Sequence, residues 1–486
     1  MKSITTSLAV LCVAVLSACT AKPVAEFNQH AITINGDGDI LSPNSANQAS
    51  SASQQSADGF TTLGPDQSGK YIDDLFASVE SSPHKDNILI FVHGGLNTLK
   101  ASTDRVNKLI QKYNGNQLDS YYPILINWDS GFFESYGEHL FAIRQGETNK
   151  TVAIPTSPFY FAADAGRGLV RFPIDAGYVA VRDIQSIPGI DRAINKYRVN
   201  VDLLYSKLKT SYPQNVSRGE DMPWGRQSFY KVPVNIVTWP FQIVTSPAID
   251  GFGTPAWEGM QRRTKVLYNK PEEFDIEREA ANVDHAIAGL PPPVMSEFAK
   301  KLAAYAGKCR ETGKRCEKKI KITLVGHSMG TFIINELLRK YPDIEYENIV
   351  YMAGADSIRN TFHSVLPYLE KHETTKFYNL TLHPQNDIEE PNYYFLPRGS
   401  LLVWIDDFFS TPHTQFDRTV GRWENVIQAY GEIPEKVRDR VFIKAFDQNS
   451  PIAKHGDFSR AVFWEESFWK PKASEKAPAA AVELFD

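Results

Sequence analysis

The sequence predicts an α/β protein: a mostly parallel central sheet with helices on both faces. Three observations predict it. First, short apolar runs alternate with helical patterns: ILIFV from residue 88, PILINW from 123, KITLV from 321, NIVYMAG from 348, FYNLTL from 377 and VFIKAF from 441. Second, these runs are dense in apolar residues rather than strictly alternating, as strands buried on both faces require. Third, within KITLVGHSMGTFIINELL at 321–338 the apolar spacing changes from a strand run to one helix face. Ile322, Leu324 and Val325 give the strand, and Phe332, Ile333, Leu337 and Tyr341 give the helix, which Pro342 should end.

The N-terminus is read apart from that fold. MKSITTSLAVLCVAVLSAC carries a lysine, an apolar run too short for a membrane span, then small residues, as a signal peptide over 1–18 would. Leu16-Ser17-Ala18-Cys19 resembles the lipobox of bacterial lipoproteins. That resemblance implies lipidation of Cys19 and anchoring in the cell envelope, and Thr20 fits the pattern sent to the outer membrane. Residues 40–70, rich in Ser, Gln, Ala and Asn, read as a flexible tether within an anchored segment over 19–80. NGDGD at 35–39 lacks the rest of a calcium loop and reads as a turn.

Length and composition bound the rest. The 486 residues, 42% hydrophobic, can bury a large core. A net charge of -5 without a dense Lys/Arg patch argues against a nucleic-acid partner. With Cys12 removed and Cys19 lipidated, Cys309 and Cys316 remain, and in an oxidising compartment they are expected to form a disulfide. Their stretch lacks the further ligands of a zinc site, and no metal is expected.

One interval is too long for a crossover. Between PILINW and KITLV lie almost two hundred residues, so this segment must carry structure of its own. A helix is expected at IDRAINKYRVNVDLLYSKL, where Ile190, Ile194, Tyr197, Val201, Leu204 and Leu208 share a face. VPVNIVTWPFQIVTSPAIDGFG is uncharged up to Asp250, yet Pro233, Pro240, Pro247, Asn235 and Gln242 argue against a membrane span. The expected organisation is a core of 81–135 and 310–470, a helical cap or lid over 136–309, and a tail over 471–486.

Ser328 sits at the strand–helix bend in Gly326-His327-Ser328-Met329-Gly330, a G-x-S-x-G pattern. Such a bend pushes the hydroxyl out of the sheet toward substrate, and a serine hydroxyl then needs a base. Later histidines are His363, His372, His383, His413 and His455. His455, in the loop after the last strand, is the expected base, while His363, His372 and His413 suit surface positions. Asp387, after FYNLTL, is the first choice of acid, with Asp356 as the alternative. Glu389 and Glu390 read as a solvated acidic edge. His93-Gly94-Gly95-Leu96 closes another strand and offers an oxyanion loop. Gly95 or Leu96 would donate one hydrogen bond and the Met329 amide another. His93 and His327 suit supporting roles.

With these motifs in order, the chain resembles the α/β-hydrolase superfamily, most like its bacterial esterases and lipases, over residues 86–135 and 318–470. The resemblance implies the α/β-hydrolase fold and cleavage of a carboxylic ester, of a lipid or another acyl compound, through an acyl-enzyme and without a cofactor. Ser328 would attack, His455 carry the proton and Asp387 steady it. A thioesterase or acyltransferase fits the same residues. The alternative of another class is a non-catalytic envelope lipoprotein that uses the fold to bind a ligand or partner.

Overall fold

The six apolar runs are six strands of one sheet. The computed structural model describes residues 23–44, 59–115, 118, 120–142, 150–187, 190, 216, 231–269, 292–311, 320–390 and 395–470. The strands are β1 (Ala31–Ile34), β2 (Ile40–Pro43), β3 (Phe60–Thr62), β4 (Asn87–Val92), β5 (Tyr122–Trp128), β6 (Lys321–His327), β7 (Asn348–Met352), β8 (Lys376–Thr381) and β9 (Val441–Ala445). Their order is β3-β2-β1-β5-β4-β6-β7-β8-β9. From β1 across to β9 every pairing is parallel, and β1–β2 and β2–β3 are antiparallel. Every residue of β5 and β7 is buried, as helices on both faces of a parallel sheet demand.

Two of the strands correct the sequence reading. β2 and β3 lie inside the stretch read as a tether, and Ile40, Leu41 and Phe60 are core residues. Strands of three or four residues carry too few alternating positions to register as a pattern, and here β2 is ordered by pairing with β1 and β3 by pairing with β2. The turn between β1 and β2 is NGDGD, closed by the Asn35 side chain, whose Oδ1 accepts from the Asp37 and Asp39 amides. The tether's central part, 45–58, lies outside the described residues, as do 1–22 with Cys19, 191–215 of the expected insertion helix, and Cys316.

Helices flank the sheet: α1 (Pro65–Ser81), α2 (Leu99–Asn114), α3 (Phe132–Phe141), α4 (Lys150–Gln185), α5 (Lys231–Val266), α6 (Val294–Glu311), α7 (Gly330–Lys340) and α8 (Ile358–Lys371). α7 buries Ile333, Ile334, Leu337 and Leu338 on one face and ends before Pro342. Burying each such side chain is worth about 1.5–3 kcal/mol.

The insertion divides differently from the expected cap. Its last part belongs to the core: Trp257 packs edge-on against Phe332 of α7, Tyr268 donates to the Ile333 carbonyl at 2.8 Å, and Phe298 of α6 meets Phe76 of α1. Most of what else is described there is a pair of 36-residue helices, α4 and α5, each with three internal prolines, the end of α5 carrying Trp257 into the core. Their backbones touch. A Cβ on Gly168 would lie 2.0 Å from the Pro247 carbonyl oxygen, and one on Gly251 would lie 2.4 Å from that of Asp164. Ion pairs lie in that seam: the buried Asp250 carboxylate accepts from Arg167 Nε at 3.1 Å and is ion-paired with Arg171 at 2.6 Å.

Candidate functional site

Register brings three loops together. Val92 of β4 lies opposite Ile126 of β5 on one side and Gly326 of β6 on the other. The chain therefore leaves all three strands at one edge, setting His93–Leu96, Asp129–Ser130 and Ser328 side by side.

Ser328 has φ +51°, a left-handed conformation that costs a non-glycine residue about 1–3 kcal/mol. Its neighbours enforce it. The Ser328 amide donates to the Met352 carbonyl at 2.9 Å, and its own carbonyl accepts from the Ala355 amide at 3.1 Å and the Thr331 hydroxyl at 2.8 Å. Gly330 lets α7 begin against β4, since a Cβ there would lie 2.4 Å from the Val92 oxygen. The hydroxyl itself is buried and has no hydrogen-bond partner among the described residues.

The loop after β4 is equally constrained. The Trp128 amide donates to His93 Nε2 at 3.0 Å, so the ring's proton is on Nδ1, which donates to the Gly94 carbonyl at 2.7 Å. Burial lowers the His93 pKa to about 3, keeping that tautomer neutral. Asn97 Nδ2 donates to the Gly94 and Gly95 carbonyls at 2.7 and 3.0 Å. Gly94 lies directly against the serine: a Cβ on it would be 2.7 Å from Ser328 Cβ.

This geometry separates the two proposed loop donors. Leu96, at φ +62°, donates its amide to the Ser130 carbonyl at 3.0 Å, which removes it from the pair. The Gly95 and Met329 amides donate to no acceptor among the described residues. Nothing in the sequence marked Ser130, because its role depends on β4 and β5 being neighbours.

His455 begins a turn, His455–Arg460, in the loop after β9. It is buried, its ring centre is 5.1 Å from that of His327, and its carbonyl accepts from His327 Nε2 at 3.2 Å. The structure thus brings His455 against the residue next to Ser328. No hydrogen bond joins Ser328 Oγ to the His455 ring, and both ring nitrogens are without partners among the described residues. Burial lowers the His455 pKa to about 4 against the opposing pull of Asp387. His327, buried and beside His455, is held well below the ordinary histidine value. Both imidazoles are neutral at pH 7 and able to accept a proton.

The acids differ from each other. Asp387 is near enough for its charge to act on His455, yet its carboxylate is engaged by the Ser400 hydroxyl and by Arg422 Nε at 2.6 Å. Asp356 is committed elsewhere: it accepts from Asn335 Nδ2 and the Ser357 amide, both at 2.7 Å, and from Asn360 Nδ2 at 3.0 Å, tying α7 to α8.

Two further residues, besides Ser130, escaped the sequence reading. Glu390 is no solvated edge: its Oε2 accepts from the His455 amide at 2.9 Å, and burial pushes its carboxyl up to about 7. A helical turn over Pro384–Glu389 sets Asp387 and Glu390 three residues apart, which was the one local signal of a shared face. Arg422 is buried among Asp387, Asp406 and Glu424. Its distance along the chain from Asp387 left no pattern to find.

Of the remaining histidines, His363 and His413 are exposed and His372 Nε2 donates to the Pro342 carbonyl at 2.7 Å. The Cys309 side chain and Cys316 lie outside the described residues, so the expected disulfide does too. Comparison with known proteins finds no matching family model, no matching curated protein and no matching solved structure.

Proposed function

We propose that the chain is a serine hydrolase of the α/β-hydrolase kind, cleaving carboxylic esters of lipids or other acyl compounds, with part of the insertion acting as a cap and Cys19 as a lipid anchor in the cell envelope. The observation that carries this reading is Ser328: a residue held at φ +51° with an unpartnered hydroxyl, beside a glycine loop and a neutral imidazole. Strain persists where surrounding contacts enforce it, and it gathers at functional positions.

In this reading Ser328 Oγ attacks the ester carbonyl carbon while its proton passes to a His455 ring nitrogen. The Gly95 and Met329 amides take the negative oxygen. The tetrahedral intermediate then expels the alcohol, which receives the proton from His455, and water repeats the sequence to free the acid. Asp387 acts through its charge on the imidazolium rather than through a hydrogen bond in the resting form. Because neither ring nitrogen of His455 is bonded, rotating the ring toward Ser328 breaks no hydrogen bond.

The test is a fluorophosphonate probe on the full chain followed by peptide mass spectrometry. The expected result is one adduct, on Ser328, absent from Ser328→Ala. A second reading is favoured by the two Asp387 contacts, with Ser400 and Arg422, and by the missing Ser328–His455 bond: a non-catalytic envelope protein that binds a ligand or partner. No adduct, together with no turnover over esters of varied chain length, would select it.

A further inference from the structure

We infer that the outer face of the α4–α5 pair docks into the interfacial layer of a phospholipid bilayer, as a contact separate from any N-terminal lipid and independent of the hydrolase reading. Among the described residues, twenty large hydrophobic side chains are exposed, and fifteen of them lie on these two helices, ten on α4 and five on α5. The most exposed are Phe159, Leu169 and Val170 on α4, with Val237, Phe241 and Val244 on α5. Val237, Phe241 and Val244 fall at helical spacing on one face.

The charges are arranged in the opposite sense. Every charged residue between Thr151 and Gln185 of α4 is paired with another element or turned into the seam: Asp164 with Tyr136 and His139, Arg167 and Arg171 with Asp250, Arg182 with Asp407, Asp183 with Arg398, and Asp175 buried beside Arg171. From Val232 to Ile249, α5 has no charged residue. A helix pair in water puts charge outside and apolar residues between; this pair does the reverse over much of its length. That arrangement is the one favoured when the outer medium is hydrocarbon, where ionisable groups turn inward and pair. Close backbone contact through Gly168 and Gly251, and prolines within both helices, are likewise features of helices that meet lipid.

No described helix is long and apolar enough to cross a membrane, so the contact is with the bilayer's near layer. Two details favour a bilayer over a second copy of the chain. Aromatic residues Phe159, Tyr160, Trp239 and Phe241 lie on the exposed surface, as at a lipid–water boundary, and the sequence of residues 16–19 would tether the chain to a membrane. α3, which leads into the pair from β5, adds exposed Phe133 and Phe141. Since β5 ends at the same edge of the sheet as β6, two strands away across β4, docking would bring the edge that carries Ser328 toward the lipid. Among the described side chains the face carries no unpaired cationic group, so anionic lipid should not be needed.

The experiment attaches an environment-sensitive nitrobenzoxadiazole dye to the full chain at Val170→Cys or Val244→Cys, with exposed Lys108→Cys on α2 as the control position and the unsubstituted chain as the labelling background. Zwitterionic phosphatidylcholine vesicles, some with spin-labelled acyl chains, are then added. The inference expects a blue shift and acyl-chain quenching at 170 and 244, little of either at 108, and no loss of the effect in high salt. It is overturned if the dye at 170 and 244 stays in an aqueous environment while the chain is bound to vesicles, or if vesicles bind neither form. A blue shift that needs no vesicles and grows with protein concentration would overturn it in favour of self-association.

Discussion

The serine side and the histidine side of the site are held in different ways. Ser328 is fixed by hydrogen bonds on both its amide and its carbonyl, and the facing glycine loop by His93, Asn97 and Ser130. His455 is hydrogen-bonded through its backbone alone, with its amide on Glu390 and its carbonyl on His327, while its ring has no hydrogen-bond partner among the described residues. The difference teaches that the strain and the proposed donors are built into the sheet edge, where parallel neighbours define position, whereas the proposed base hangs from a loop held only through its backbone. Preorganisation is therefore strongest where the negative oxygen would form and weakest where the proton would go.

The largest effect that could break this comparison is at the loosely held side. His455→Ala should lower ester turnover by about four to six orders of magnitude if the imidazole is the base, with the fold retained by circular dichroism. A loss of only a few-fold would show that the free ring is idle. Next in size is the rigid side. Gly95→Ala puts a Cβ 2.4 Å from Met329 Sδ, displacing the loop or Met329. Turnover should fall about a hundredfold to a thousandfold, the usual cost of one lost oxyanion donor, with a smaller change in KM. Unchanged kcat would remove the Gly95 amide from the proposed reaction.

The same contrast explains what the sequence could disclose. β4 to β9 were legible because strands buried on both faces need dense apolar runs, and Ser328, Gly94 and Gly95 because a tight bend and a close approach restrict residue type locally. β1 to β3 were hidden by their brevity. The Leu96 amide could not be assigned from sequence, since its partner Ser130 arrives from a neighbouring strand. Glu390, Arg422 and the ion pairs between α4 and α5 are likewise products of long-range packing. Asp387 could be singled out from its place after β8, but its commitment to Arg422 could not. The uncharged stretch of α5 was visible, while its outward-facing side chains became apparent only once Asp250 was seen turned into the seam.

The most direct test of the central claim, that His455 serves Ser328, is the rate of fluorophosphonate labelling as a function of pH in the unsubstituted chain and in Asp387→Asn. His455 has its pKa lowered to about 4 by burial and pulled upward by Asp387. It is neutral above that value and, once protonated, cannot accept the serine proton. Labelling should therefore hold from pH 7 down to about 5, fall with a midpoint near 4, and recover on return to neutral pH. With the carboxylate charge removed, the midpoint should move lower still. A midpoint near the ordinary histidine value, or the same midpoint in both proteins, would contradict the account.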